Sequence, residues 1–123
     1  MSLGPIGQIA MRVHEIDRAT TFYADTLQLP LLFRAGTLSF FDCGGVRLML
    51  SPPEKPEHDH PGSVLYFRVP DIQVATRELA GRGVVFVRDP HLIARMPDHE
   101  LWMAFFNDSE GNLLALMSEV RTG

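Results

Sequence analysis

With 123 residues, 46% of them hydrophobic, and a formal charge of -4, the chain has the size and composition of one domain burying roughly two-thirds of its unfolded surface. No apolar run approaches the ~20 residues of a membrane span. Scattered lysine and arginine form no basic stripe, so neither membrane nor nucleic acid is an expected partner. Cys43 is alone, which excludes an intrachain disulfide; with no basic-then-apolar leader in "MSLGPIG", a cytoplasmic setting is expected.

The first element reads as a strand. Ile9, Met11 and Val13 alternate with Gln8, Ala10 and Arg12, which sends the two trios to opposite faces of a sheet. Ile16, Ala19 and Tyr23 then recur at helical spacing, and this helix is expected to fade at "LQLP", where Leu29 precedes a proline. "LPLLFRA", "LSFFDCG" and "VRLMLS" read as three strands that turn at "AGT" and "DCGG". "SPPEKPEHDHPGS", rich in proline and charge, reads as an exposed linker.

After the linker the order begins again. Leu65, Phe67 and Val69 alternate with Val64, Tyr66 and Arg68; Asp71 stands where an N-cap belongs, and Ile72, Ala75 and Leu79 make a helical stripe that Gly81 and Gly83 stop. "VVFVRDP", "HELWMAFFND" and "NLLALMSE" are the strands expected next. At an offset of 56, Arg12 falls on Arg68, Val13 on Val69, Ile16 on Ile72, Ala19 on Ala75 and Thr20 on Thr76. Phe40, Asp42 and Gly45 match Phe106, Asp108 and Gly111 at an offset of 66, and the difference is assigned to an insertion around "PHLIARMPDHE". The expected organisation is one α+β domain, 1–123, made of two βαβββ modules, 6–51 and 63–120, joined by a linker over 52–62. In each module the helix stripe covers one sheet face. Two modules packed together can close a concave, partly closed cup with Gln8, Arg12, Val64 and Tyr66 turned inward.

Three stretches, "QIAMRVHEIDRATTFYADTLQLP", "LYFRVPDIQVATRELAGRGV" and "FFNDSEGNLLALMSE", give the chain a resemblance to the vicinal oxygen chelate superfamily, also called the glyoxalase/bleomycin resistance/dioxygenase superfamily. The resemblance runs from Ile6 to about Val120 and implies a fold that hosts many activities. The metal enzymes of that superfamily place four ligands facing the cup. Carried over position by position, these fall on Gln8, Met49, Val64 and Ala115. A glutamine serves as ligand in some lyases of the superfamily. Val64 and Ala115 offer no donor, however, and Met49 offers only a soft thioether to ions that want nitrogen or oxygen. Ala115 also replaces the glutamate that acts as base in the lyases and epimerases. The resemblance therefore implies a superfamily member without metal or other cofactor, comparable to the drug-sequestering resistance proteins. Like them it is expected to be a homodimer that binds a small molecule. The alternative is a metal-dependent lyase, epimerase or dioxygenase, lactoylglutathione lyase-like, with non-standard ligands such as His91 or His99; a pure interaction module is the third class. Whether the chain is an enzyme at all is left open by these residues.

The remaining candidates are judged on residue chemistry. Arg12, Arg47 and Arg68 share the strand parity of Gln8, Met49 and Val64; pointing into the cup, guanidinium groups suit a carboxylate or phosphate on the ligand. Otherwise Arg12 and Arg68 simply pair with carboxylates such as Glu15 and Asp71. Tyr66, Trp102 and Met103 are expected to form an aromatic and apolar wall, or else to belong to the core or a subunit contact. The expected ligand-binding set is thus Gln8, Arg12, Arg47, Met49, Val64, Tyr66, Arg68, Trp102 and Ala115, with no catalytic and no metal-binding residue assigned. His58 and His60 have a His-x-His spacing inside a linker that is better read as solvated. His14 stands at a strand-to-helix junction, where a surface position is the ordinary outcome. His91 and His99 bracket the insertion, which can act as a lid carrying a general acid or base. Cys43 sits in a turn with no base beside it and reads as inert.

Overall fold

The alternation that opens the chain does form a strand, and its buried side is the one the apolar trio predicts. A computed structural model describes residues 2–122, which divide into two compact units between Gly62 and Ser63. In the first unit β1 (Gln8–Arg12) leads into α1 (Ile16–Thr21) and then to β2 (Leu31–Ala35), β3 (Leu38–Cys43) and β4 (Val46–Ser51). The sheet order is β1-β4-β3-β2, with β1 parallel to β4 and the other neighbours antiparallel. A helical crossover is what allows consecutive strands to run parallel in one sheet.

Met11, Leu48, Leu50, Ser39 and Phe41 share one sheet face by register and are buried, as are Ala19, Thr20 and Tyr23 of the helix. Tyr23 anchors this layer: its ring lies 5.9 Å from that of Phe41, and its hydroxyl donates to Met11 Sδ at 3.0 Å. The polar atoms trapped there are satisfied, Thr20 Oγ1 meeting both the Ile16 carbonyl and Ser39 Oγ at 2.6 Å. α1 does not end in a simple fade. It widens into a π-helical turn over Phe22–Thr26, closed by Leu27 N–H donating to the Phe22 carbonyl, and Gln28 then takes a left-handed φ of 59°. Between β3 and β4 the chain reverses in two residues, Gly44 and Gly45, both at positive φ. A type I′ hairpin demands that conformation, and glycine adopts it at no steric cost.

The second unit repeats the plan. β5 (Leu65–Arg68) and α2 (Ile72–Gly81) precede β6 (His91–Arg95), β7 (His99–Asn107) and β8 (Leu113–Arg121), in the order β5-β8-β7-β6. Asp71 is the N-cap: its Oδ1 accepts from the backbone N–H of Gln73 and Val74. The other end closes as a Schellman motif, in which Gly83 N–H reaches the Ala80 carbonyl and Val84 N–H the Leu79 carbonyl, with Gly83 at φ 95°. Thus Gly81 is the last helical residue, and Gly83 alone supplies the stop. α2 packs on β7 and β8, where Ala104, Phe106, Leu114 and Leu116 are buried.

The order of elements is that of two βαβββ modules, an α+β fold with two four-stranded sheets. One strand, however, is not where the pattern put it. "VVFVRDP" makes a single bridge, Phe86 to Phe106, supported by Val87 N–H donating to the Phe105 carbonyl at 2.8 Å. Val85 and Val87 remain 81% and 64% exposed, so continuing that ladder would bury little, and Pro90 lacks the N–H to extend it. The edge strand comes instead from the insertion: His91–Arg95 pairs with the first part of a β7 that spans nine residues, against six in β3. The insertion is therefore a β-hairpin continuing the sheet rather than a free loop. Among the described residues no helix is long and apolar enough to cross a membrane.

Candidate functional site

The face of the first sheet turned away from α1 carries Gln8, Ala10 and Arg12 from β1, Arg47 and Met49 from β4, Phe40 from β3 and Phe33 from β2, all in register. Phe33 and Phe40 stack with their ring centroids 4.4 Å apart, and the Arg47 guanidinium carbon lies 5.2 Å from the centre of the Phe40 ring. Arg47 Nε donates to Gln8 Oε1 at 2.7 Å, while Gln8 Nε2 reaches Met49 Sδ at 3.7 Å. The result is a continuous shelf: two aromatic rings, a cation over one of them, and an amide that fixes the cation. Phe40 is only 7% exposed, whereas Phe33 is 46% exposed. Parity alone identified Gln8, Arg12, Arg47 and Met49 as companions. Phe33 and Phe40 were missed, although the same alternation carried through "LSFFDCG" places one of its two phenylalanines on this side.

Arg12 stands at the end of that face and turns toward the linker. Its Nε is 3.5 Å from Asp59 Oδ1, the oxygen that also takes a 2.7 Å contact from His14 Nε2. Asp59 is thus a carboxylate partner of Arg12, and Glu15 pairs with Arg18 at 3.4 Å. The hydrogen bond from His14 holds the Asp59 carboxyl below its ordinary range, with the Arg12 charge adding to the effect. The linker is exposed, as its composition implied, and contains one 3-10 turn at Pro56–His58. His58 and His60 are both exposed. Cys43 is half-buried, and desolvation, aided by Asp42, raises its thiol pKa above the ordinary 9.0, which makes it a poor nucleophile.

On the second sheet the corresponding face carries Tyr66 and Arg68 from β5, Ala115 and Met117 from β8, Met103 and Phe105 from β7 and His91 from β6. Ala115 is the register partner of both Tyr66 and Phe105, and those two rings meet edge-on with centroids 5.9 Å apart. Strands two apart lie about 9.6 Å from each other, so the rings lean together over the small Ala115 side chain, which has no exposed surface. Ala115 is therefore the floor beneath an aromatic pair and does not itself line an open surface. His91 stacks on the other side of Phe105 at 6.2 Å. Trp102 requires the firmer correction. Adjacent strand residues face opposite ways, and Trp102 pairs with Ser118 on the helix side, donating from Nε1 to Glu100 Oε1 at 3.3 Å. Of the expected wall, Tyr66 and Met103 share a face and Trp102 does not. Val64 lies just before β5 and is half-buried.

Arg68 pairs with Glu119 at 3.1 Å, not with Asp71. His99, the first residue of β7, contacts Asp98 Oδ1 through Nδ1 at 2.7 Å and has Nε2 3.7 Å from Glu119 Oε2. The His99 contact depresses the Asp98 carboxyl. Glu119 and Asp98, absent from the sequence-derived set, are thus the groups that engage Arg68 and His99.

The glyoxalase/bleomycin resistance protein/dioxygenase superfamily model matches residues 5–116. The chain belongs to that superfamily. No match is found among curated proteins. Among solved structures it is similar to a virulence protein from Salmonella typhimurium, at 20% identity and TM-score 0.78 over 98% of this chain and 100% of the other. It is also similar to a superfamily member from Sphaerobacter thermophilus, at 23% identity and TM-score 0.77 over 95% and 98%. A third is a lactoylglutathione lyase from Agrobacterium tumefaciens, at 20% identity and TM-score 0.74 over 96% of each chain. At these identities the likeness shows the fold alone. The glyoxalase-superfamily metal centre does not fit the residues present. At the four positions that the resemblance assigns to its ligands stand the amide of Gln8, already bonded by Arg47, the thioether of Met49, and the hydrocarbons of Val64 and Ala115. Hard and borderline divalent ions require nitrogen or oxygen ligands, and this set leaves at most one.

Proposed function

We propose that this superfamily member binds, without a metal, a small molecule that has a flat apolar body and an anionic group. The observation that carries the reading is the shelf formed by Phe33, Phe40, Arg47 and Gln8. Stacked rings accept a flat ligand on their exposed edge, and a guanidinium fixed beside them meets a carboxylate or phosphate in bidentate fashion. The second unit carries an aromatic row of its own, Tyr66, Phe105 and His91. The alternative, a metal-dependent lyase or dioxygenase, gains nothing from the donors at the ligand positions. A cytoplasmic homodimer belongs to the proposal. Strand β2 ends its sheet, and on it Leu31 and Leu32 are 44% and 50% exposed, the kind of surface a second copy covers.

A thermal-shift panel of aromatic carboxylates and phosphates, run with chelator and again with added nickel, zinc or manganese, tests this. A ligand at about 100 times its Kd stabilises by ~2.7 kcal/mol, and the shift is expected to be the same in chelator. Arg47→Ala is expected to weaken that ligand several-fold while leaving the apo melting temperature nearly unchanged. A panel in which nothing shifts, or in which every shift requires a divalent ion, would overturn the reading.

A further inference from the structure

The aromatic row of the second sheet ends in an imidazole. His91, on the strand that ends that sheet, lies over Phe105 with ring centroids 6.2 Å and planes 30° apart, and Phe105 meets Tyr66 edge-on at 5.9 Å. The first sheet shows the same device without nitrogen: Phe33, also on a strand that ends its sheet, stacks on Phe40 with planes 22° apart. A hydrocarbon ring therefore suits such a position, and what His91 adds is its two nitrogens. Of these, Nδ1 alone is enclosed, and it has no hydrogen-bond partner among the described residues; Nε2, also unbonded there, reaches the surface. Buried polar atoms are nearly always paired, and one that is not calls for an explanation. Arg68, which shares a register row with Met103 and His91, is already engaged by Glu119 at 3.1 Å.

We infer that Tyr66, Phe105 and His91 form a second ligand site, for a flat neutral molecule with a carbonyl oxygen, and that His91 presents Nε2–H to that oxygen. An enclosed N–H without an acceptor is a rarer orphan than an enclosed lone pair, so the proton sits on Nε2 and Nδ1 carries the lone pair. The ring then offers one donor at the edge of an aromatic surface. A flat body covers Phe105 and Tyr66, the latter 45% exposed, and an oxygen conjugated to that body meets the donor. With Arg68 already paired, the row favours a neutral acceptor over an anion. Aromatic walls with a few placed polar groups are the usual make-up of small-molecule sites. The site is independent of the anionic ligand proposed for the first sheet, since neither Arg47 nor an anion enters it.

The probes are acetophenone and isopropenylbenzene, which share a shape and differ in the oxygen. Each is titrated into the full chain and into His91→Phe, with isotope-labelled histidine and aromatic side chains followed by NMR. In the ligand-free native chain, long-range proton–nitrogen correlations are expected to place the His91 proton on Nε2; a proton on Nδ1 overturns the inference. Acetophenone is expected to move the Nε2–H signal together with the ring signals of Tyr66 and Phe105. No movement at millimolar acetophenone, or movement of Phe33 and Phe40 instead, overturns it as well. H91F keeps the stack and removes both nitrogens, so it is expected to melt about 4 °C higher than the native chain. It is also expected to reduce the preference for acetophenone over isopropenylbenzene by about five-fold. An equal or lower melting temperature would make His91 a structural residue, and an unchanged preference would leave no hydrogen bond to the ketone; either result overturns the inference. The tautomer and the native titration decide the matter even if H91F does not fold. Shifts in the anionic panel without acetophenone binding remove only this second site. An empty panel with acetophenone bound removes only the shelf on the first sheet.

Discussion

Restoring the superfamily's glutamate on β8 is expected to damage this protein rather than rebuild a metal centre. Ala115 has no exposed surface and lies in register between Tyr66 and Phe105, whose rings close over it at 5.9 Å. Ala115→Glu must part those rings, forfeiting an aromatic contact worth about 0.5–1.5 kcal/mol. It also encloses a carboxylate beneath two aromatic rings, at a cost of a few kcal/mol before relaxation. Together these predict a loss of roughly 2–4 kcal/mol at pH 7. The measurement is urea unfolding followed by tryptophan fluorescence, since the single tryptophan, Trp102, lies on the neighbouring strand β7. An enclosed carboxyl has its pKa raised, so the deficit is present above the unfolded value of about 4.3 and shrinks as pH falls toward it. The variant is also expected to gain no nickel or zinc binding, because Val64 and Met49 still contribute no hard donor. Stability within 0.5 kcal/mol of the native chain, or a deficit that does not depend on pH, would refute the enclosed-floor account of Ala115.

Two further outcomes follow from contacts already described. Asp71→Ala removes the acceptor for two backbone N–H groups at the start of α2 and is expected to cost about 1 kcal/mol in the same urea assay, with Asp71→Asn retaining most of it; equal losses for the two would show that the charge, not the cap, matters. The Asp59 carboxyl is depressed by His14 and Arg12, so its stabilising contribution is complete above the ordinary 3.8 and is lost as pH falls below that value through the folded pKa. Unfolding curves between pH 5 and about pH 2.5 should therefore show an acid-dependent component in the native chain that is missing from Asp59→Asn; an unchanged acid profile would mean that the contact to His14 and Arg12 is not maintained in solution.

Much of the architecture is legible because it rests on local rules applied twice. Alternation in "QIAMRV" and "VLYFRV" sets the faces of β1 and β5, the N-cap at Asp71 is a short-range signal, and Gly44-Gly45 announces its hairpin. What local pattern cannot carry is parity across loops of unequal length. The motif match of Phe40 with Phe106 suggests equivalent residues, yet the β3–β4 turn has two residues and the β7–β8 loop has five. The register consequently places Phe40 opposite Met49 on the open face and Phe106 opposite Leu114 on the helix face. Phe105, not Phe106, is the true counterpart of Phe40. Trp102 is a different kind of miss, since period two alone forbids it from sharing a wall with Met103. The Asp59 contact lies beyond both rules: it joins residues 45 positions apart through a linker whose composition says only that it is exposed.

The division of labour between the two faces of each sheet explains how the superfamily fold survives the loss of the superfamily's ligands. In the first unit the helix side holds Tyr23, Phe41 and Leu50 with no exposed surface, and in the second it holds Phe106 and Leu114 likewise. These residues supply the apolar burial that stabilises the units. Gln8, Met49 and Ala115 all lie on the opposite faces, and a pleat of period two lets those positions change without altering the packed side. The replacement on the first sheet is also electrostatically coherent. An amide oxygen that a metal-binding relative can direct at a divalent ion here accepts from Arg47 Nε at 2.7 Å. Positive charge is retained beside Gln8, but it is carried by a guanidinium that neither dissociates nor acts as a Lewis acid. Such a group can hold an anion by hydrogen bonds and cannot activate it through coordination. On the proposed reading, that face recognises an anion.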